Sequence, residues 1–452
     1  MLCMPMTSPS STLHVKMVQQ SRPRPYTTTS GKGVSPPPLK RRKLTQTPGQ
    51  ALDSTRASST LQRPNHGRNS FRVFSWNING IRAFLSSARS NNKKITSYFA
   101  RSTKTQNASN TDEPPGTSRI RTVPNDEDLN GSPYSLRAFL SRNGWPEVLF
   151  LQELKLSSPA LLPELLSALN TPLNNADDVS DDRTYTLDTS LARDKHNVKA
   201  WGGNLYGVGT IIRTDFARKW VDTVREVDWD IEGRVMVVEM RGTPEGQDGN
   251  KISTKPLALI NVYAVNGTSK PYRSPKTGEI DPNCPTRHDR KLAFHTLLRD
   301  ECLSLEKRGF CVIIAGDVNI ARGPIDGHPN LRTVPQQHCL NRADFNTKFF
   351  GEEDNKRAGA YVGPWKEDEK SKDKSLDAVD VFRAKYGMEK RYTYYPHCPS
   401  SWDWGTSCDR VDMVVVSKQL WEDGRVIDTG IMNTPQDRDP SDHVPLWVEV
   451  AL

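Results

Sequence analysis

What most constrains this chain is a set of apolar, β-prone runs that each end in a polar, chemistry-bearing tip. Phe71-Arg72-Val73-Phe74-Ser75-Trp76 leads into Asn77-Ile78-Asn79-Gly80, and Val148–Leu151 into Gln152-Glu153. Cys311–Ala315 leads into Gly316-Asp317-Val318-Asn319, and Ser441-Asp442-His443 precedes Val444–Val450. Short apolar runs bounded by turn-forming residues read as strands with at least one buried face. Gly207–Ile212, Val235–Met240, Leu257–Val262 and Arg410–Val416 read the same way. Between Asp289 and Lys307, Leu292, Leu298, Cys302 and Leu305 alternate with charges and predict an amphipathic helix. Strands interleaved with helices imply an α/β domain over 71–452. Polar stretches near 101–133, 242–255 and 352–375 are expected to be surface insertions.

Charge separates the two parts of the chain. The net charge is +9, yet residues 1–70 hold eleven Lys or Arg against the single acid Asp53, so the rest carries about −1. The basic balance is therefore a property of the tail and is no evidence for a basic nucleic-acid-binding body. That tail is rich in Ser, Thr and Pro and too poor in large apolar residues to fold, so disorder is expected. Pro36-Pro37-Pro38-Leu39-Lys40-Arg41-Arg42-Lys43 reads as a nuclear import signal or a nucleic-acid-touching patch. The scarcity of acids also fits a mitochondrial presequence, although Pro5, Pro9, Pro23 and Pro25 oppose the amphipathic helix it needs. Nucleus is the expected address and mitochondrion the alternative. No apolar run approaches the ~20 residues of a membrane-spanning helix, so a soluble protein with no membrane partner is expected. Seven cysteines without a CxxC fit a reducing compartment, and His397, Cys398 and Cys408 match no common zinc spacing.

The tips suit one chemistry. Hydrolysing a phosphodiester requires charge on the phosphate oxygens to be offset, a water to be oriented, and the leaving oxygen to be stabilised. Magnesium does the first and last with one or two protein carboxylates. Glu153, at a strand mouth, is a candidate ligand. Asn77 and Asn79 can orient water, phosphate or metal, and Asn serves equally well in turns. Asp317 and Asn319, two apart in extended chain, point the same way and can activate and hold water. The same segment also suits a βα turn with Asp capping a helix. His443 can bind or protonate phosphate oxygens. Asp412 is a candidate partner for it, because an acid inside an apolar strand is costly unless paired. Tyr263 can donate its hydroxyl to phosphate or pack as an ordinary strand-end aromatic.

Together Phe74–Ala83, Phe150–Glu153, Asn261–Tyr263, Gly316–Ala321, Ile325-Asp326, Arg410–Asp412 and Ser441–Pro445 resemble the exonuclease III branch of the endonuclease/exonuclease/phosphatase (DNase I-like) superfamily, the branch of the apurinic/apyrimidinic endonucleases. Asn79-Gly80-Ile81-Arg82 and Pro324-Ile325-Asp326 favour this branch over phosphatases and sphingomyelinases. The resemblance implies a four-layer α/β sandwich with two mixed β-sheets flanked by helices. It implies Mg2+, with Mn2+ as the alternative, near Asn79, Glu153, Asp317, Asn319, Asp442 and His443. Asp317 would activate water, with Asn77 and Asn319 orienting it. Tyr263 and His443 would bind phosphate, His443 braced by Asp412. Asn266 would contact a substrate phosphate, and Trp404, with Trp402, Tyr394 and Tyr395, would line a sugar pocket or cover core. The implied partner is duplex DNA with abasic sites, the implied state a monomer. The implied activity is metal-dependent incision, with 3′–5′ exonuclease or 3′-phosphodiesterase action. The alternatives are a phosphodiesterase for RNA or undamaged single-stranded DNA, or a silent nucleic-acid-binding member. Two departures stand out: Leu154 replaces the family's usual Thr, and Ala264–Ser269 lacks the Arg some members direct at DNA.

Overall fold

The computed structural model describes residues 69–85, 134–172, 183–197, 203–242, 254–360, 375–396, 407–434, 437 and 440–452. All fall within one compact unit, Ser58–Leu452. In chain order the strands are β1 (Ser70–Asn77), β2 (Val148–Gln152), β3 (Tyr185–Leu191), β4 (Gly207–Arg213), β5 (Val221–Glu226), β6 (Val235–Met240), β7 (Leu257–Tyr263), β8 (Cys311–Asp317), β9 (Gly327–His328), β10 (Val379–Asp380), β11 (Cys408–Asp409), β12 (Asp412–Val416), β13 (Val426–Ile431) and β14 (Leu446–Ala451). Among the described residues they form two six-stranded sheets, ordered β13-β14-β1-β2-β4-β3 and β10-β12-β8-β7-β6-β5, and the small pair β11-β9. Each large sheet is mixed. Its one parallel pair, β1 with β2 or β7 with β8, is flanked by antiparallel neighbours. Parallel neighbours end at the same edge, so Asn77, Gln152, Tyr263 and Asp317 are all strand termini.

Three apolar layers hold the sheets and helices together. Phe71, Val73, Val148 and Phe150 of one sheet meet Leu257, Leu259, Ile313 and Val414 of the other. On the outer face of the first sheet, Phe74, Trp76, Leu149 and Leu151 pack under helices α1 (Leu136–Arg142) and α2 (Leu162–Asn170). Beyond the short α3 (Thr214–Trp220), the long α4 (Arg287–Lys307) and then α5 (Gln337–Phe349) cover the second sheet through Phe294, Leu298, Cys302, Phe345 and Phe349. The architecture is thus helix, sheet, sheet, helix, as the resemblance implied. Alternation along the strands decides what faces inward. The inner series of β1 runs Phe71, Val73, Ser75, Asn77, that of β8 Cys311, Ile313, Ala315, Asp317, and that of β12 Val416, Val414, Asp412. The layer between the sheets is therefore apolar at one end and polar at the other.

Where that layer turns polar, its groups satisfy one another. Gln152 Nε2 donates to Asn261 Oδ1 at 2.8 Å and to Ser75 Oγ at 3.0 Å, while Asn261 Nδ2 donates to the Gly209 carbonyl at 2.8 Å. This buried ladder stitches one sheet to the other directly behind the strand tips.

Some expectations shift in detail. Helix α4 starts at Arg287, two residues early, because Thr286 and Asp289 form a reciprocal capping box. Leu292 is only half-buried. The last strand starts at Leu446 rather than Val444, after Pro445, which has no N–H to donate to a ladder. The stretch at 352–375 opens as helix α6 (Glu352–Arg357), with Asp354 and Asn355 buried against Arg322, and residues 361–374 lie outside the described residues. The tail residues 1–68 and the stretches 101–133 and 243–253 also lie outside them.

Candidate active site

The register assembles the site. Asp317 on β8 stands opposite Tyr263 on β7 and opposite Asp412 on β12. Gly316 permits this spacing: its φ is +153°, and a Cβ there would lie 2.0 Å from the Val262 carbonyl oxygen of the neighbouring strand. From the other sheet, Asn77 Nδ2 donates to Asp317 Oδ2 at 3.0 Å and to Glu153 Oε1 at 3.1 Å. One carboxamide thus joins the carboxylates of both sheets.

Asn319 reaches Asp317 by a route different from the expected one. The strand stops at Asp317, and Asn319 adopts φ +53° instead of extended backbone. In that turn its N–H donates to Asp317 Oδ1 at 2.8 Å, and its side-chain nitrogen donates to the Ala264 carbonyl at 3.0 Å and to Asp317 Oδ2 at 3.3 Å. Asn79, Glu153 and Lys155 also have positive φ. Non-glycine residues in this region cost about 1–3 kcal/mol each and cluster where surrounding structure enforces a functional geometry.

His443 is fixed from three sides. Its Nδ1 lies 2.7 Å from Asp412 Oδ2, its carbonyl accepts from Trp76 Nε1 at 3.0 Å, and its backbone N–H donates to Ser441 Oγ at 3.1 Å. Ser441 Oγ in turn donates to the Asn77 carbonyl at 2.6 Å, which ties the Ser-Asp-His segment to the end of β1. The Tyr394 ring lies against the imidazole with centroids 4.9 Å apart. Thr393 Oγ1 accepts from the Val411 and Asp412 N–H groups at 3.0 Å each and sets the start of β12.

Electrostatics separates the roles of these groups. Burial disfavours a charged His443, but the contact with Asp412 overrides it and raises the imidazole to about 10. Burial first, then the nearby Asp412 charge, push Asp317 up to about 7, where a carboxylate can both take and release a proton. Burial also opposes ionisation of Glu153, but the Lys155 ammonium holds it below the usual carboxylate range. Burial and then the Glu153 charge raise Tyr263 well above an ordinary phenol, leaving it a neutral hydroxyl donor. The Arg234 guanidinium stacks 4.9 Å from the Tyr263 ring centroid.

Among the described residues two groups at the site could hold a cation. Asp317, Asp412 and His443 each offer an atom within 4.8 Å of the others. That set already pairs a cationic imidazole with its acids. The second group is Glu153 with Asn79: Lys155 Nζ lies 2.5 Å from Glu153 Oε2 and also donates to Asn79 Oδ1. Two oxygens converging on one ammonium form a cation seat, and a carboxylate with a carboxamide oxygen suits a hard divalent ion.

The structure thus brings together Asn77, Asn79, Glu153, Tyr263, Asp317, Asn319, Asp412 and His443. Asp442 is half-buried next to His443, and its carbonyl accepts from Tyr395 N–H at 2.8 Å. Asn266 is exposed on the loop after β7, and among the described residues no hydrogen bond joins it to the cluster. Trp402 and Trp404 lie outside the described residues. Leu154 is fully buried in the outer core, so that departure from the family pattern is a packing change. Sequence reasoning missed Lys155 as the Glu153 partner, Thr393 and the buried Lys291.

A family model described as Endonuclease/Exonuclease/phosphatase family matches residues 74–443. The chain belongs to this family. It is a phosphodiesterase whose family match runs from the first tip to the last. Among solved structures it is similar to the Xenopus laevis APE2 catalytic domain, with 18% identity, 84% of this chain and 93% of that chain covered, and a TM-score of 0.49. The AP endonuclease LMAP from Leishmania major gives 19%, 85%, 89% and 0.49. An AP endonuclease from Archaeoglobus fulgidus gives 15%, 84%, 98% and 0.42. No curated protein matches the chain by sequence.

Proposed function

We propose that this phosphodiesterase incises DNA beside abasic sites, with Mg2+ held by Glu153 and Asn79. The observation that carries the reading is the buried Asp317, bonded to Asn77 and Asn319 and set beside the His443–Asp412 pair. Asp317 accepts a proton from the attacking water. Asn77 and Asn319 orient that water and the phosphate. The His443 cation and the Tyr263 hydroxyl bind phosphate oxygens as negative charge grows on them. Bound Mg2+ would offset charge on the phosphate and the leaving oxygen. Asp442 adds a further carboxylate at the rim, and exposed Asn266 a candidate phosphate contact.

Pro324-Ile325-Asp326, which favours the apurinic/apyrimidinic endonuclease branch, supports the abasic reading. Its Asp326 is fully buried and accepts from Arg410 Nε at 2.7 Å and Arg383 Nη2 at 2.5 Å. It thereby links the loop after Asp317 to the residue two before Asp412. The near-neutral body motivates a second reading, RNA or single-stranded DNA as substrate. Incubating the protein with abasic duplex, undamaged duplex, single-stranded DNA and RNA separates the two, and incision confined to the abasic strand supports the first. The basic tail serves in this proposal as a nuclear address. Its deletion should leave turnover intact and change localisation.

A further inference from the structure

Helix α4 carries an amine at a position its own pattern reserves for an apolar residue. Stepping back from Leu305 through Cys302, Leu298 and Phe294 by threes and fours reaches Lys291, which is 2% exposed. Lys291 Nζ donates to the Asn319 carbonyl at 2.8 Å. Among the described residues it has no carboxylate within ion-pair distance. Gly267 makes room for its stem, since a Cβ there would lie 3.2 Å from Lys291 Cδ and 2.6 Å from Asn341 Nδ2. Burial penalises a charge there and pushes the Lys291 amine down to about 7, so a polar amine satisfied by one carbonyl is costly against an apolar side chain of similar volume. The packing of α4 alone would favour methionine or leucine at this position.

We propose that Lys291 is a positioning residue of this site: its amine tethers the Asn319 carbonyl and so holds the left-handed turn that aims the Asn319 amide at Asp317. The turn is otherwise held by the Asn319 N–H on Asp317 and the Asn319 side chain on Ala264 and Asp317. Lys291 supplies the restraint on the carbonyl, through a helix that carries none of the other site residues. The inference rests on the phosphodiesterase reading but not on the abasic substrate.

The test compares wild type, Lys291→Met, Asn319→Ala and the double variant. Steady-state kcat and KM are measured on abasic duplex and, as a substrate-neutral control, on bis-p-nitrophenyl phosphate. Thermal unfolding is recorded in EDTA. Methionine keeps the length and removes the donor. The expected result is a Lys291→Met protein at least as stable as wild type, with kcat down 30-fold or more, KM within threefold, and a double variant no slower than Asn319→Ala alone. Wild-type kcat, a lowered unfolding temperature, or additive losses in the double variant would each overturn the proposal. Wild-type activity on the small diester without abasic incision would instead refute the substrate reading and leave this test intact.

Discussion

Replacing Asp412 with Asn should remove the charge that keeps His443 cationic while leaving the shape of the pair nearly unchanged. In the wild-type site His443 titrates at about 10, so at pH 8 about 99% of it is protonated. Without Asp412, burial still lowers the imidazole and only the Asp317 and Asp442 charges still raise it, so it falls from about 10 toward its ordinary 6.5. At 6.5 the cation would be about 3% at pH 8. If the cation is what meets the phosphate, kcat/KM at pH 8 should drop by up to ~30-fold and recover in part toward pH 6. Asp317 should move in the same direction but less. It loses the Asp412 charge that helps push it up to about 7 and, with it, the smaller lowering influence of the His443 cation, so the acid limb should move modestly below pH 7. The wild-type profile should rise through about pH 7 and fall through about pH 10. Stability follows a defined sign as well. A histidine raised on folding adds stability that is complete below pH 6.5 and fades as pH rises through about 10, so the variant should be most destabilised in acid. NMR titration of the His443 ring, alongside kcat/KM from pH 5 to 10.5, checks all of this. A wild-type imidazole titrating near 6.5, or an unchanged rate in Asp412→Asn, would refute the reasoning.

Three further outcomes follow from the same geometry. Glu153→Gln keeps the shape that receives Asn77 but removes the charge of the cation seat, so half-saturating Mg2+ should rise tenfold or more, read by metal titration of activity and of binding heat. Gly316→Ala drives a methyl group into the Val262 carbonyl of the adjacent strand and should cost about 3–5 kcal/mol in urea unfolding, with activity lost in parallel. Asp380 is fully buried and accepts from Arg410 Nη2 at 2.7 Å and Arg322 Nη1 at 3.0 Å. Asp380→Ala leaves those cations short of a partner and should cost on the order of 3–5 kcal/mol by the same assay.

The sequence exposed the central strands and the site together, for one physical reason. A strand buried on both faces must be a nearly continuous apolar run, and a functional tip on such a run interrupts it visibly, as Gly316-Asp317 interrupts Cys311–Ala315. In the two large sheets the strands that escaped notice are β3, β5, β10 and β13, the outermost members. Tyr185–Leu191 and Val426–Ile431 are only partly buried along most of their length and carry Asp188 and Asp428, so they lose the contrast that marks a strand, while β10 is only two residues long. The buried arginines 322, 383 and 410 were illegible for a related reason: nothing in a charged residue's own neighbourhood announces a partner fifty residues away. Lys291 was recoverable. The spacing back from Leu305 points to it, but Leu292 is the apolar residue beside it and drew the assignment. Asn319 was matched to Asp317 for a reason that fails, since the chain is not extended there. The two residues meet because the asparagine turn folds back on the carboxylate.

One measurement bears most directly on the central claim that Asp317 activates water against an abasic phosphodiester. A duplex with a single abasic site is incubated with the full-length protein in Mg2+ or in EDTA, beside Asp317→Ala and an undamaged duplex. The account predicts metal-dependent incision at the abasic position alone, lost in the variant while the variant still binds the duplex. Equal cutting of undamaged DNA, or undiminished incision by Asp317→Ala, would contradict it.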